Sequence, residues 1–207
     1  MKDFAITVCA PSGAGKTTVC QALLRDSDDL MFSVSATTRP KRSEERDGVD
    51  YHFVTRDEFQ GMIERGELLE WAEVHGDLYG TPRSNLEQAE REGKLLILDI
   101  DVQGASQVVD SLPDTVTVFL LPPSFDVLME RLRGRGSEDA RRMERRMETA
   151  RSELKELPSF QYVVVNDALE DGVAAIRTII DAERQRPDRR RDELEKLRRE
   201  LEDGLSR

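Results

Sequence analysis

The sequence is short of several residue types on which whole classes of function depend. Its 2 cysteines in 207 residues, Cys9 and Cys20, are too few for a disulfide scaffold. A reducing compartment fits, and both read as small buried hydrophobes. Its 2 histidines, His52 and His75, stand at no metal-ligand spacing from a partner, which argues against a histidine-built metal centre. No apolar run approaches the roughly 20 residues needed to span a bilayer. Nothing resembling a secretory leader precedes the first strand, because Met1-Lys2-Asp3 leads straight into apolar residues. A cytoplasmic location with no membrane partner is therefore expected. Lysine occurs only at Lys2, Lys16, Lys41, Lys94, Lys155 and Lys196. The net charge of -11 argues against nucleic acid as a partner of the surface at large, since phosphate backbones require a basic face. There is no internal repeat and no Gly/Ser linker.

What is present is an alternation of strand and helix patterns. Apolar runs at Phe4–Cys9, Leu95–Ile100, Thr115–Leu121 and Tyr162–Val165 have the length of strands covered on both faces. Between them stand helical patterns with start signals. Thr55-Arg56-Asp57-Glu58 is a capping box ahead of Phe59, Met62 and Ile63. Thr81-Pro82 has the cap-then-proline order, and Ser124 and Ser137 stand at cap positions. The expected fold is α/β with a central, mostly parallel sheet. The rhythm breaks between Ser33 and about Gly80, where short β pieces and one short helix suggest a separate lobe. Residues 124–158 are almost wholly helical and rich in Arg, as a lid would be. The expected division is a core of 1–32, 82–123 and 159–186, a lobe of 33–81, a helical lid of 124–158 and a charged tail of 187–207. In the tail, Leu194, Leu197, Leu201 and Leu205 form a stripe at helical spacing that could pack on the body, pair with another chain or stay solvated. The expected assembly is a monomer or a homodimer.

The densest chemical signal is Ala10-Pro11-Ser12-Gly13-Ala14-Gly15-Lys16-Thr17, followed by Thr18 and a helical pattern. Strand, glycine-rich turn, Lys-Thr and helix in that order make a P-loop. Gly13 and Gly15 let successive backbone N–H groups converge on a polyphosphate, and the helix start adds its positive dipole end. Lys16 reaches the β- and γ-phosphates, and the Thr17 hydroxyl is a Mg²⁺ ligand. Ala10 stands where the strict pattern has Gly, and it is small enough for the turn. A P-loop specifies a nucleoside triphosphate but not an acceptor. Acceptor candidates lie in Ser35 to Arg42 with Tyr51, where Arg39 and Arg42 offer forked donors for a phosphate. Two further clusters are Glu70 to Glu73 with Tyr79 and Thr81, and Asp99 with Asp101 at the end of the strongest apolar strand. Strand period would put Asp99 and Asp101 on one face, at the ligand-facing end of a parallel sheet.

In this order, APSGAGKTT, FSVSATTR, DGVDYHFV, EWAEVHGDLYGT, LLILDIDVQG, RLRGRG and VVVND resemble the guanylate kinase family over about residues 4–182. The resemblance implies a P-loop kinase fold with a GMP-binding lobe and a helical lid. It also implies phosphoryl transfer from ATP to GMP, with dGMP a second acceptor. Glu70 and Asp101 would then accept from the guanine N1–H and 2-amino group, with Ser35 and Thr81 adding bonds to the base. Arg39, Arg42, Tyr51 and Tyr79 would hold the acceptor phosphate. Lys16, Arg131, Arg135 and Arg146 would neutralise the migrating phosphoryl group, Asn166 and Asp167 would lie by the adenine, and Asp99 would join Thr17 around Mg²⁺ through water. The chain departs from the family pattern at Lys41 and Glu44, where Pro and Gly are common, and at Leu78, where Tyr is common. Two other readings stay open at this point, a sugar-phosphate kinase of the ribose-bisphosphate type and a non-catalytic protein-binding module. The intact Gly15-Lys16-Thr17 speaks against the second.

Overall fold

A computed structural model describes residues 4–25, 27–74, 76–133 and 140–205, with backbone alone at 133 and 140–145. Five strands make a wholly parallel sheet: β1 (Ala5–Cys9), β2 (Leu30–Phe32), β7 (Leu95–Asp99), β8 (Val116–Leu121) and β9 (Tyr162–Val165), ordered β2-β7-β1-β8-β9. The central strand is β1, the one that leads into the P-loop. Its alternate side chains divide between two cores. Ile6 and Val8 meet Val19, Leu23, Ile176 and Ile180 from α1 (Lys16–Arg25) and α7 (Leu169–Arg184). Ala5 and Cys9 face Ala89, Ala105, Val108 and Phe119, under α3 (Arg83–Glu92) and α4 (Val102–Ser111). Each large apolar side chain fully buried here contributes about 1.5–3 kcal/mol, so these two layers hold the P-loop's supporting strand rigid from both sides.

A second sheet, ordered β4-β3-β6-β5, is built from β3 (Ala36–Thr37), β4 (His52–Phe53), β5 (Leu68–Val74) and β6 (Asp77–Pro82). It packs on α2 (Arg56–Glu64) through Ala36, Phe59, Leu68 and Leu78. The capping box at Thr55 and Glu58 starts α2 as expected. The second sheet is fastened to the first through α4. The Gln107 amide donates to the Trp71 carbonyl at 3.0 Å and accepts from the Trp71 N–H at 3.1 Å, while Ser111 Oγ donates to the Leu69 carbonyl at 3.3 Å. Glu70 lies between those two clasped residues. Two helices, α5 (Phe125–Arg133) and α6 (Ala140–Lys155), flank the P-loop side, with Ser124 capping the first through Val127 N–H.

Three local expectations change. Strand β7 ends at Asp99, and Asp101 is the N-cap of α4, accepting from Gly104 N–H at 2.8 Å. The two carboxylates are therefore related by a strand-to-helix turn, not by strand period. Thr81 does not cap α3; Pro82 is the N-cap and makes no side-chain bond, because the Thr81 hydroxyl is engaged by Glu70. Strand β9 is covered on one face only, with Val163 and Val165 about half exposed, as befits a sheet edge. Ser137 and Arg135 lie outside the described residues.

The start of the charged tail is anchored. Arg189 is buried, stacks 3.8 Å from the centre of the Phe4 ring and donates to Glu183 at 2.9 Å. Beyond it, α8 (Arg191–Leu205) leaves the leucine stripe exposed, so the stripe does not pack on the body.

Candidate active site

The P-loop turns tightly between β1 and α1, closed by Ala14 N–H to the Pro11 carbonyl at 3.0 Å. Gly13 and Gly15 both hold left-handed φ, +92° and +93°, where an L side chain is strained. A Cβ on Gly15 would also lie 2.6 Å from Asn166 Nδ2. That amide donates to the Ala14 carbonyl at 2.7 Å. Arg131, on α5, reaches the same region and donates to the carbonyls of Asn166 at 3.1 Å and Asp167 at 3.1 Å. A cleft of about 430 Å³ lies here, lined by Gly13, Gly15, Thr18, Arg131, Asn166, Asp167 and Leu169. Asn166 and Arg131 thus clamp the outer side of the loop, a contact with no local signal in the sequence. Arg146 lies partly buried on α6.

On the other side of the loop, Lys16 pairs with Asp99 Oδ1 at 2.7 Å and donates to the Ile100 carbonyl at 2.8 Å. Burial works against its ammonium, but the adjacent Asp99 carboxylate outweighs it and holds the lysine above its ordinary range. The Thr17 hydroxyl donates to Asp99 Oδ2 at 3.1 Å. One carboxylate at the end of β7 therefore gathers both P-loop side chains.

Lys16 and Asp99 also line a central cleft of about 300 Å³ with Ser35, Tyr51, Glu70, Tyr79 and Asp101. Glu70 is only 7% exposed. Its Oε1 accepts from the buried Thr81 hydroxyl at 2.7 Å, and Oε2 lies against Gly104, where a Cβ would come within 2.8 Å. Burial pushes its carboxyl up to about 7, the Thr81 bond opposing and Asp101 adding to the rise. Glu70 thus has one oxygen committed to Thr81 and the other beside the start of α4, facing the central cleft.

The acceptor-side arginines sit on the second sheet's loop. Arg39 donates to the Tyr79 hydroxyl at 3.2 Å and lies over the Tyr51 ring at 5.5 Å, and Tyr51 meets Tyr79 edge-on. Arg42 is exposed. At the two departures from the family pattern, Lys41 Nζ donates to the Glu45 carbonyl at 2.9 Å, which tightens the turn, and Glu44 is exposed.

Two carboxylates were not singled out from the sequence. Glu45 grips Arg39, and nothing in the sequence sets it apart from its acidic neighbours Glu44, Asp47 and Asp50. Glu153, on α6, is half-buried with Oε2 unpartnered among the described residues. Burial pushes its carboxyl up to about 7, against Lys16 and with Asp101. No pattern in the sequence marks it, because its neighbours are contributed by the core.

The family model "Guanylate kinase" matches residues 3–183. A guanylate kinase of Thermotoga maritima is 46% identical over 201 residues, covering 97% of each chain. One of Myxococcus xanthus is 47% identical over 89% of this chain and 88% of its own. The crystal structure of guanylate kinase from Anaplasma phagocytophilum superposes with a TM-score of 0.73 at 34% identity, covering 90% of this chain and 89% of that one.

Proposed function

The chain belongs to the guanylate kinase family, and on that premise we propose that it moves the γ-phosphoryl group of ATP to GMP, giving ADP and GDP, with dGMP as a second acceptor. The observation that carries this reading is the buried Glu70, held by Thr81 at 2.7 Å, in the same cleft as the P-loop lysine. Guanine presents N1–H and a 2-amino group side by side. Glu70 Oε2 accepts from this pair, and Asp101 and Ser35 complete the reading of the base. Adenine has neither donor at those positions and would leave buried acceptors unpaired, a mismatch that costs roughly 10⁴-fold or more in comparable sites. A sugar phosphate would make no use of Glu70.

The acceptor phosphate is held by Arg39, Arg42, Tyr51 and Tyr79. Lys16 exchanges Asp99 for the triphosphate, and Arg131, Arg135 and Arg146 neutralise the migrating group as the lid, 124–158, closes on the core over the lobe 33–81. Closure excludes water and so suppresses ATP hydrolysis. No general base is required, because a phosphate monoester is largely ionised near neutral pH. Thr17 and Asp99 offer hard oxygen donors 3.1 Å apart, a set that fits Mg²⁺. When bound with ATP, that ion would screen the β- and γ-phosphate charge.

Among the described residues no helix is long and apolar enough to cross a membrane, in keeping with a cytoplasmic enzyme. A coupled ADP-release assay with ATP and Mg²⁺, offering GMP, AMP, CMP and UMP separately, tests the proposal. Turnover with GMP alone is expected. Equal turnover with AMP, or none with any of the four, would refute it.

A further inference from the structure

Arg39 carries five N–H donors, and four of them are already committed. Nε–H goes to the Tyr79 hydroxyl at 3.2 Å and one Nη1–H to the Pro40 carbonyl at 2.8 Å. The other Nη1–H and one Nη2–H form a fork on Glu45, at 3.1 Å to Oε2 and 2.7 Å to Oε1. Glu45 Oε2 also accepts the backbone N–H of Arg42 at 2.8 Å. Both partners of the pair are mostly shielded, with side chains 14% and 17% exposed. One carboxylate therefore ties together the guanidinium of the first acceptor-side arginine and the backbone of the second. Lys41 Nζ, on the Glu45 carbonyl at 2.9 Å, closes the same turn.

From this arrangement we infer that Glu45 is a positioning residue of the acceptor-phosphate site. It fixes the Arg39 plane against Tyr51 and Phe53, at 5.5 and 5.8 Å from their ring centres. That leaves one Nη2–H of Arg39 and the Tyr79 O–H proton to be given to an incoming phosphate. A bidentate fork is the geometry that best removes the rotational freedom of a guanidinium. The alternative role is a stand-in anion that the phosphate must displace. Displacement would break both Arg39 bonds and the Arg42 backbone bond together, so the carboxylate stays in place while the ligand uses the donors it leaves over. Tyr79, at the other end of Arg39, makes the same unit continuous with β6.

This inference rests on the GMP reading, so the wild-type enzyme is measured first with GMP. In Glu45→Ala, KM for GMP should rise at least tenfold while KM for ATP stays within twofold and kcat falls by less than the rise in KM. Glu45→Gln, which keeps one carbonyl acceptor for Arg39 or Arg42 but not the fork, should fall between the two. A role confined to folding would lower the melting temperature and the active fraction without moving KM for GMP. In an Arg39→Ala background, Glu45→Ala should add less than threefold. An unchanged KM for GMP in both Glu45 variants would overturn the inference, and a lowered one would identify Glu45 as a competitor of the phosphate. A wild-type enzyme with no GMP turnover would instead refute the guanylate reading and, with it, this assignment.

Discussion

Replacing Glu70 with glutamine exchanges one oxygen for an NH₂ group and should separate base reading from everything else. In the folded chain Thr81 donates to Oε1 at 2.7 Å. The amide oxygen of the Glu70→Gln variant would take that bond, because the amide nitrogen cannot accept it. The NH₂ group is then turned toward the guanine edge, donor facing donor. The loss combines a charge-assisted pair of hydrogen bonds with an unpaired buried group, on the order of 3 kcal/mol. At 1.4 kcal/mol per decade this is roughly 100-fold in kcat/KM for GMP. The assay is coupled ADP release with GMP varied at saturating ATP, then ATP varied at saturating GMP. KM for ATP should move by less than about twofold, because Glu70 lies in the central cleft and not in the one clamped by Arg131 and Asn166. Stability gives a second readout of the same carboxylate. Its folded value, about 7, lies above its ordinary 4.5, so ionised Glu70 costs stability as pH rises from about 4.5 through 7. Glu70→Gln should therefore melt at or above the wild-type temperature at pH 8, the gain bounded by about 3 kcal/mol, and should lose that gain near pH 4. A fall in kcat/KM for GMP of less than about fivefold would refute the role given to Glu70.

Three further outcomes are expected. Lys16→Ala should lower kcat by about 10²–10³-fold, the scale for removing one preorganised donor from a developing charge, with an unchanged far-ultraviolet circular dichroism spectrum; full activity would sink the transfer mechanism. Gly15→Ala, strained at φ +93° and 2.6 Å from Asn166, should destabilise by about 1–3 kcal/mol and abolish tight ATP binding, which differential scanning calorimetry and ATP titration would measure. The wild-type kcat/KM for GMP should fall about tenfold per unit as pH drops below about 7, as Glu70 takes up its proton and ceases to accept; the flattened profile of Glu70→Gln is the control.

The P-loop was legible because its signal is local. Two glycines, Lys and Thr between an apolar strand and a helix need only about twenty residues to declare themselves. The strands Phe4–Cys9 and Leu95–Ile100 were legible for the same reason, through apolar runs fully buried by the layers around them. The junction after Asp99 was not, because Ile100 continues the apolar run while the chain has already turned. The cap of Asp101 on Gly104 N–H is itself local, but the apolar run through Ile100 hides where the strand stops and the helix starts. Thr81 misled for a related reason. Its hydroxyl had two possible partners, and the buried carboxylate across the sheet, 11 residues away in sequence, won over the local helix start. Glu45 was hidden because one of several acids in a loop of mixed charge, Glu44, Glu45, Asp47 and Asp50, looks solvated until the fork on Arg39 is seen. The clamp of Asn166 on Ala14 spans 152 residues, a separation no local pattern can carry. For the leucines of α8, spacing foretold the stripe but not that the body would leave it uncovered.

The most direct test follows the phosphorus atom itself. ATP labelled at the γ-position is incubated with the enzyme, Mg²⁺ and GMP, and the products are separated. The label should appear in the β-phosphate of GDP, in step with the ADP formed. Label recovered as inorganic phosphate, or left in ATP, would contradict phosphoryl transfer to GMP by this chain.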